Sequence, residues 1–387
     1  MNKPTNNIRV CTRCVMDTTI SNITFDEKGV CNYCKLHDML EKQFPLNEET
    51  TKKLEVVLAD IKRRGRDSKY DCVVGISGGR DSTYTLYITK KFGLRPLAVH
   101  FNDGWGNPVC GENMKKITQK LGVDFRVITS DWRESKDIKI SFLKASTPEL
   151  DLGTDIGYPA ALYGVAVKEN VKTLIFGHCF RTEGIMPLEW DFADGKYLKE
   201  VYNQFGSTPL RKWSPTDPGF NLEMKHVLYY TLVKRIKFFP ILNYVQYNRD
   251  EVGELLKREL DWRDTPGRYF DDLYHGFMSK VLREKFNIDL RKTMYSAMIR
   301  NGQMAREEVQ ATLKEIQASE DPKIISLCIQ RLAISQQELD EWLARPIKTF
   351  RDYPTSYNLI KLLRPFVWLA AKLHIIPDHA YAKYFNT

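Results

Sequence analysis

Three things are missing from this sequence of 387 residues: a long apolar run, a lysine-bearing phosphate loop and a triple-glycine dinucleotide fingerprint. No window reaches the roughly 18 uncharged apolar residues of a membrane span. The first residues, Met1 to Asn7, hold no apolar core of a secretion signal. A cytoplasmic location is therefore expected. Without Gly-Lys-Ser/Thr the chain is no P-loop kinase or GTPase, and without Gly-x-Gly-x-x-Gly it is no classical dinucleotide fold. Charge of one sign is not dominant either: 58 Lys and Arg face 49 Asp and Glu, a net +9. That excess suits anionic ligands without choosing among nucleotides, sugar nucleotides, nucleic acid or an acidic membrane surface. A content of 43% hydrophobic and 28% charged residues excludes general disorder, and the length allows two or three domains.

Cysteine is present in a telling arrangement. Cys11-Thr12-Arg13-Cys14 is followed, after sixteen residues, by Cys31-Asn32-Tyr33-Cys34. This is the spacing of a four-cysteine zinc site, two knuckles whose thiolates close a tetrahedron, with no open position for substrate. Phe25 to Val30 reads as the hairpin turn that brings the knuckles together. His37 is expected on a solvated helix position. From Leu46 to Tyr70 the chain is polar and helical, and its basic run Lys62-Arg63-Arg64-Gly65-Arg66 reads as a solvated face.

The central stretch is Tyr70 to Gly93. Cys72 to Ile76 is a short apolar run suited to a buried parallel strand. Asp81 to Phe92 has helical spacing and Gly93 stands at its end. Between them lies Ser77-Gly78-Gly79-Arg80-Asp81-Ser82. Glycines there allow close backbone approach, and the amides opening a helix are unpaired donors on a positive dipole. Such a turn is an anion cradle. Further strands are expected at Leu97–Phe101, Phe125–Ile128, Val171–Phe176 and Phe238–Val245, with helices at Glu112–Leu121 and Arg249–Leu260. Alternation of this kind predicts an α/β fold, a parallel sheet with helices on both faces and ligands at the carboxyl ends of its strands. His100 and Asn102 end the second strand, and Gly177, His178 and Glu183 follow the fourth.

Ser77 to Ser82 resembles the loop of the ATP pyrophosphatases, the PP-loop superfamily with its adenine nucleotide alpha-hydrolase-like fold. The resemblance implies ATP held by Ser77, Gly78, Gly79, Arg80, Asp81, Ser82, His100, Asn102 and Gly177. Asp81 would help hold Mg2+, and cleavage would fall between the α- and β-phosphates. His178 and Glu183 would handle protons or position substrate. With the cysteine pairs, Leu260 to Asp264, Leu282 to Lys292 and Gly302 to Glu308, the chain resembles the N-acetyl sugar amidotransferases of bacterial surface-polysaccharide (O-antigen) synthesis, from about Val10 to Leu313. That makes Lys285 and Arg291 phosphate ligands, although six residues apart they share no helix face without a bend at Asn287. The run Thr265 to Tyr269 departs from the usual Tyr-Gly-Gly-Lys-His-like pattern, which leaves room for a different sugar.

The domains expected are a zinc-binding ribbon at 1–45, a helical linker at 46–68, the PP-loop domain at 69–313 and a helical C-terminal region at 314–387. The implied activity converts an acetamido group of a nucleotide-linked or acidic N-acetylated sugar to an acetamidino group, using ATP, Mg2+ and Zn2+. Residue 2 is asparagine, and no Gly-x-Cys-x-Gly elbow is found, so neither glutaminase nucleophile is present. Ammonia is expected from glutaminase/cyclase-like partner subunits. The alternative is tRNA thiolation, with Cys110 and Cys179 as sulfur carriers; otherwise nucleic acid is not an expected ligand. The apolar segment Tyr357 to Ile376, broken at Pro365, reads as a helix closing the core, a partner-docking element or a peripheral membrane contact.

Overall fold

The computed structural model describes residues 8–214, 219–265, 272–316, 320–373, 376 and 378–385. Among the described residues, five parallel strands form one sheet: β1 (Cys72–Gly75), β2 (Pro96–Asn102), β3 (Asp124–Thr129), β4 (Thr173–Ile175) and β5 (Lys237–Phe239). Their order is β3-β2-β1-β4-β5, so the chain runs outward from β1 through β3 and then returns to its other side. The topological switch therefore lies between β1 and β4.

Side chains alternate across the sheet. Cys72, Val74 and Ile76 face a layer built from α2 (Glu48–Gly65), α3 (Arg80–Lys91), α4 (Pro108–Leu121) and α9 (Arg249–Leu260). Val73, Leu97, Val99 and Leu174 face α6 (Leu152–Lys168). Further out on that side, α5 (Trp132–Ala145) and α7 (Gly195–Phe205) enclose a third cluster around Phe142 and Tyr197. With both faces covered, the central strands read as continuous apolar runs.

Two boundaries moved from expectation for clear reasons. The fifth strand ends at Phe239, because Pro240 cannot donate to a ladder and the chain continues as a 3₁₀ turn over Ile241–Tyr244. Helix α4 starts four residues early, where Asn107 caps it through Val109 N at 2.9 Å and Pro108 takes the first turn. His37, expected in solvent, is 4% exposed on α1 (Asn32–Gln43), with its ring edge-on to Phe180. Burial lowers its imidazole to about 3, so it is neutral.

The C-terminal region is helical: α10 (Tyr274–Phe286), α11 (Arg291–Arg300), α12 (Arg306–Thr312), α13 (Pro322–Leu332), α14 (Gln336–Ala344), α15 (Tyr357–Leu362), α16 (Arg364–Lys372) and α17 (Asp378–Phe385), with the short α8 (Met224–Leu228) earlier in the chain. Cys328, Leu332, Leu339 and Trp342 from α13 and α14 share a core with α10 and the N-terminal cysteine module.

One buried acid offers a stability test. Glu149, 4% exposed, accepts from Tyr197 Oη at 3.1 Å, and burial pushes its carboxyl up to about 8. The unfolded carboxyl titrates near 4.3. Between those values the folded chain holds a proton that the unfolded chain has released, so stability falls as pH rises. Glu149→Gln, which keeps an oxygen toward Tyr197, is expected to flatten that fall. Melting temperatures measured from pH 5 to 8 check it, and parallel wild-type and variant curves would refute it.

Candidate active site

The loop after β1 meets the start of α3 at the switch point. Gly79 caps α3 without a side-chain hydrogen bond, so the first amides of the helix keep no capping acceptor. Inside the turn, Ser82 Oγ accepts Ser77 N at 3.0 Å and Ser77 Oγ accepts Gly79 N at 3.3 Å. Gly78 sits at φ +84°, and its carbonyl accepts from Asn113 Nδ2 at 3.1 Å and Trp262 Nε1 at 2.9 Å. A methyl on Gly177 would meet Ser82 N at 3.0 Å, so the loop after β4 passes directly over the start of α3.

These parts open into a cavity of about 780 Å³. Ser77, Gly79, Arg80, Asp81, Ser82, His100, Asn102, Gly177, His178 and Glu183 all line it. His100 gives Nδ1–H to Ile76 O at 3.0 Å, and burial lowers its basicity. His178 Nε2 lies 3.6 Å from Glu183 Oε2. Asn102 Oδ1 accepts Gly104 N at 3.0 Å, and Arg80 Nη2 pairs with Asp264 Oδ2 at 2.8 Å. Asp81 accepts a hydrogen bond from Tyr247 Oη.

Lys285 and Arg291 do not reach this cavity. Lys285 Nζ caps the end of α14 through Leu343 O at 2.7 Å and Arg345 O at 2.8 Å, a cation on the negative helix terminus. Arg291 pairs with Asp289 at 2.8 Å and donates to the carbonyls of Thr312, Leu313 and Glu315. The chain does bend at Asn287, which adopts φ +58°. The bend nevertheless serves helix packing.

Sequence reasoning did not single out the far wall. There Asp103, Asp151, Asp155, Asp272, Thr154 and His275 line the same cavity. Lys139, 1% exposed, lies beneath them, 3.2 Å from Asp103 and paired with Asp151. Burial together with neighbouring carboxylates holds Asp155 and Asp272 well above the ordinary range, so this wall can donate as well as accept hydrogen bonds. Tyr247 was also missed. Gln303 Nε2 donates to Tyr247 O at 2.8 Å and Gln303 Oε1 accepts Arg249 N at 3.0 Å, which pins the segment carrying the tyrosine. Tyr247→Phe removes the hydrogen bond that orients Asp81; if Asp81 is the Mg2+ ligand that the resemblance implies, an outer-shell loss of this type is expected to weaken metal binding by about 10- to 100-fold. A Mg2+ titration of ATP binding in the variant checks this; an unchanged midpoint would remove the role.

The cysteines form a separate centre. Cys11 and Cys34 Sγ are 3.8 Å apart, Cys14 and Cys31 3.7 Å, and Cys31 and Cys34 3.7 Å. A tetrahedron with metal–sulfur bonds near 2.3 Å has edges of about 3.8 Å, so four thiolates in this contact fit one ion and leave no room for a cluster. Arg300 donates to Cys34 Sγ at 3.2 Å and Cys14 Sγ at 3.3 Å, placing a half-buried cation against the sulfurs. Arg306 holds Cys14 O at 3.1 Å and Cys11 O at 3.0 Å.

Residues 262–364 match the family described as LPS biosynthesis protein WbpG-like, C-terminal domain. The matched stretch begins at Trp262, the residue that holds Gly78, and it supplies Asp264, Thr265, Asp272 and His275 to the cavity. The run at Pro266 to Tyr269 falls within it but outside the described residues. An uncharacterized protein, MJ1599, of Methanocaldococcus jannaschii is 23% identical over 320 residues, 81% of this chain and 95% of its own length. The NH3-dependent NAD synthetase of Campylobacter jejuni superposes with a TM-score of 0.28 at 13% identity, covering 77% of this chain and 98% of its own. The U34-tRNA thiolase NcsA of Methanococcus maripaludis, described with a [4Fe-4S] cluster, gives 0.32 at 13% identity, covering 80% and 89%. Both structural likenesses are distant.

Proposed function

We propose that the chain is an ATP-dependent amidotransferase that turns a sugar acetamido group into an acetamidino group. The observation that supports it is the shared cavity: a PP-loop cradle forms one wall, and residues of a WbpG-like domain form part of the other. An amide oxygen is a poor leaving group, so activation comes first. The acetamido oxygen attacks the α-phosphorus of ATP and pyrophosphate departs; ammonia then adds to the imidate carbon and AMP leaves with the former amide oxygen. The amides opening α3 receive the pyrophosphate charge, and Asp81 contributes a ligand to Mg2+, which neutralises the phosphates when bound. The carboxyl-lined wall, with both donors and acceptors, suits sugar hydroxyls. His178 and Glu183 stand at the cavity to take the proton released by ammonia.

Ammonia comes from partner subunits of glutaminase/cyclase type, and the cysteine centre holds a structural Zn2+. The second reading, thiolation of tRNA, asks two cysteines to act as carriers. Cys179 is fully buried and its thiol is pushed up to about 12, whereas a sulfur nucleophile needs an accessible thiolate. The test is incubation with Mg2+-ATP, ammonium and a panel of N-acetylated sugar nucleotides and nonulosonic acids. Formation of AMP with a product in which NH replaces O supports the reading; formation of ADP, or of no AMP with any acceptor, overturns it. Loss of a tRNA-thiolating activity in Cys110→Ser would instead favour the second.

A further inference from the structure

Residues 357–373 form two short helices in near-continuous succession. Leu363 N donates to Leu359 O and Leu363 O accepts from Val367 N, each at 3.0 Å, so the two helices share Leu363 as their common end. Pro365 is tolerated because it lies in the first turn of α16, where its missing N–H has no helical acceptor. With 3.6 residues per turn, Leu362, Phe366, Leu369 and Leu373 fall on one stripe. They are 77%, 70%, 48% and 51% exposed. The opposite side is the one that packs: Ala371 is 4% exposed, and Leu363 and Val367 are half-buried. An ordinary surface helix turns its apolar stripe inward and its polar face to water. Here a second apolar stripe points outward, and the core does not use it.

Charge around the stripe selects the occupant. Lys361 and Arg364 lie toward its start and Lys372 toward its end, all exposed, and no Asp or Glu occurs from Pro354 to Pro377. Trp368, 48% exposed, stands among these cations with Lys372 Nζ 6.0 Å from its ring. Long basic side chains can keep their charge in a headgroup layer while their stems follow the apolar stripe down. Indole favours the same depth. No described helix is long and apolar enough to cross a bilayer. An outward apolar stripe flanked by cations and free of carboxylates instead matches a helix lying in the plane of an anionic lipid surface. We propose that residues 357–373 dock the protein on such a surface. The inference is independent of the reaction assigned to the cavity.

The experiment is sedimentation of the full chain with phosphatidylcholine vesicles and with vesicles also containing phosphatidylglycerol. The chain is expected to bind the anionic vesicles about tenfold more tightly, with binding weakened by salt. Phe366→Ser with Leu369→Ser should lower that binding by at least about tenfold, since two inserted side chains are lost. Both positions face solvent, so the melting temperature should hold. If the double variant melts early, the difference in emission between the wild type and Trp368→Phe supplies a second measurement, with a blue shift of Trp368 expected only on anionic vesicles. Absence of vesicle binding, equal binding to both vesicle types, or a Trp368 signal unmoved by lipid overturns the proposal. Concentration-dependent self-association that the double variant abolishes, without lipid binding, would assign the stripe to a second copy and also overturn it.

Discussion

Gly78→Ala is expected to eliminate measurable pyrophosphate release while the chain still folds. At φ +84° a side chain is strained by about 1–3 kcal/mol. The larger effect is steric, because a Cβ there would stand 2.2 Å from Cys110 O, a backbone atom of α4 that cannot swing aside. The turn must shift, taking with it the amides that face the cavity. Loss of even one preorganised donor slows turnover by about 10²–10³-fold, and this change displaces several together. Gly111→Ala is the control: it lies in α4, also lines the cavity, and a Cβ there meets nothing within 4 Å. Its activity should be near that of the wild type, with equal or slightly greater stability. Pyrophosphate release and thermal denaturation of both variants decide the matter, and an active Gly78→Ala would mean that the turn does not hold the leaving group.

Stripping the metal from the four cysteines, or replacing Cys14 by Ser, is expected to unfold the N-terminal module and lower the melting temperature of the whole chain. Structural zinc contributes about 10–16 kcal/mol in small modules at neutral pH, which is comparable to the net stability of an entire domain. Without it, the buried thiols are left around an uncompensated centre with the Arg300 guanidinium against them. The damage should spread, because Lys292 pairs with Asp17 at 2.6 Å and Arg306 binds two module carbonyls. Metal content by mass spectrometry and calorimetry before and after chelation test this. Protein purified without stoichiometric metal, and indifferent to chelator, would refute it.

What could be read from the sequence was local. The strand, turn and helix around Ser77 lie within two dozen residues, and each cysteine pair is its own knuckle. Their chemistry is written in spacing. The contacts that complete the site join distant positions: Tyr247 to Asp81 across 166 residues and Trp262 to Gly78 across 184. Spacing cannot show which of many tyrosines or tryptophans makes such a contact. His37 was misplaced for the same reason, since Phe180, which covers it, is remote in sequence. For Lys285 and Arg291, a basic pair looks alike whether it meets phosphate or the carbonyls ending a helix. The acid wall was hidden because Asp103, Asp151 and Asp272 come from three separate segments.

The stretch that matches the WbpG-like family touches the turn through Trp262, the Tyr247 segment through Gln303 and the cysteine module through Arg300 and Arg306. It is therefore not a cassette. Exchanging it for that of a relative would disturb the turn and the cysteine centre along with the carboxyl wall, since contacting positions do not act additively. Reshaping the cavity calls instead for substitutions confined to the carboxyl wall, with those three joints left intact.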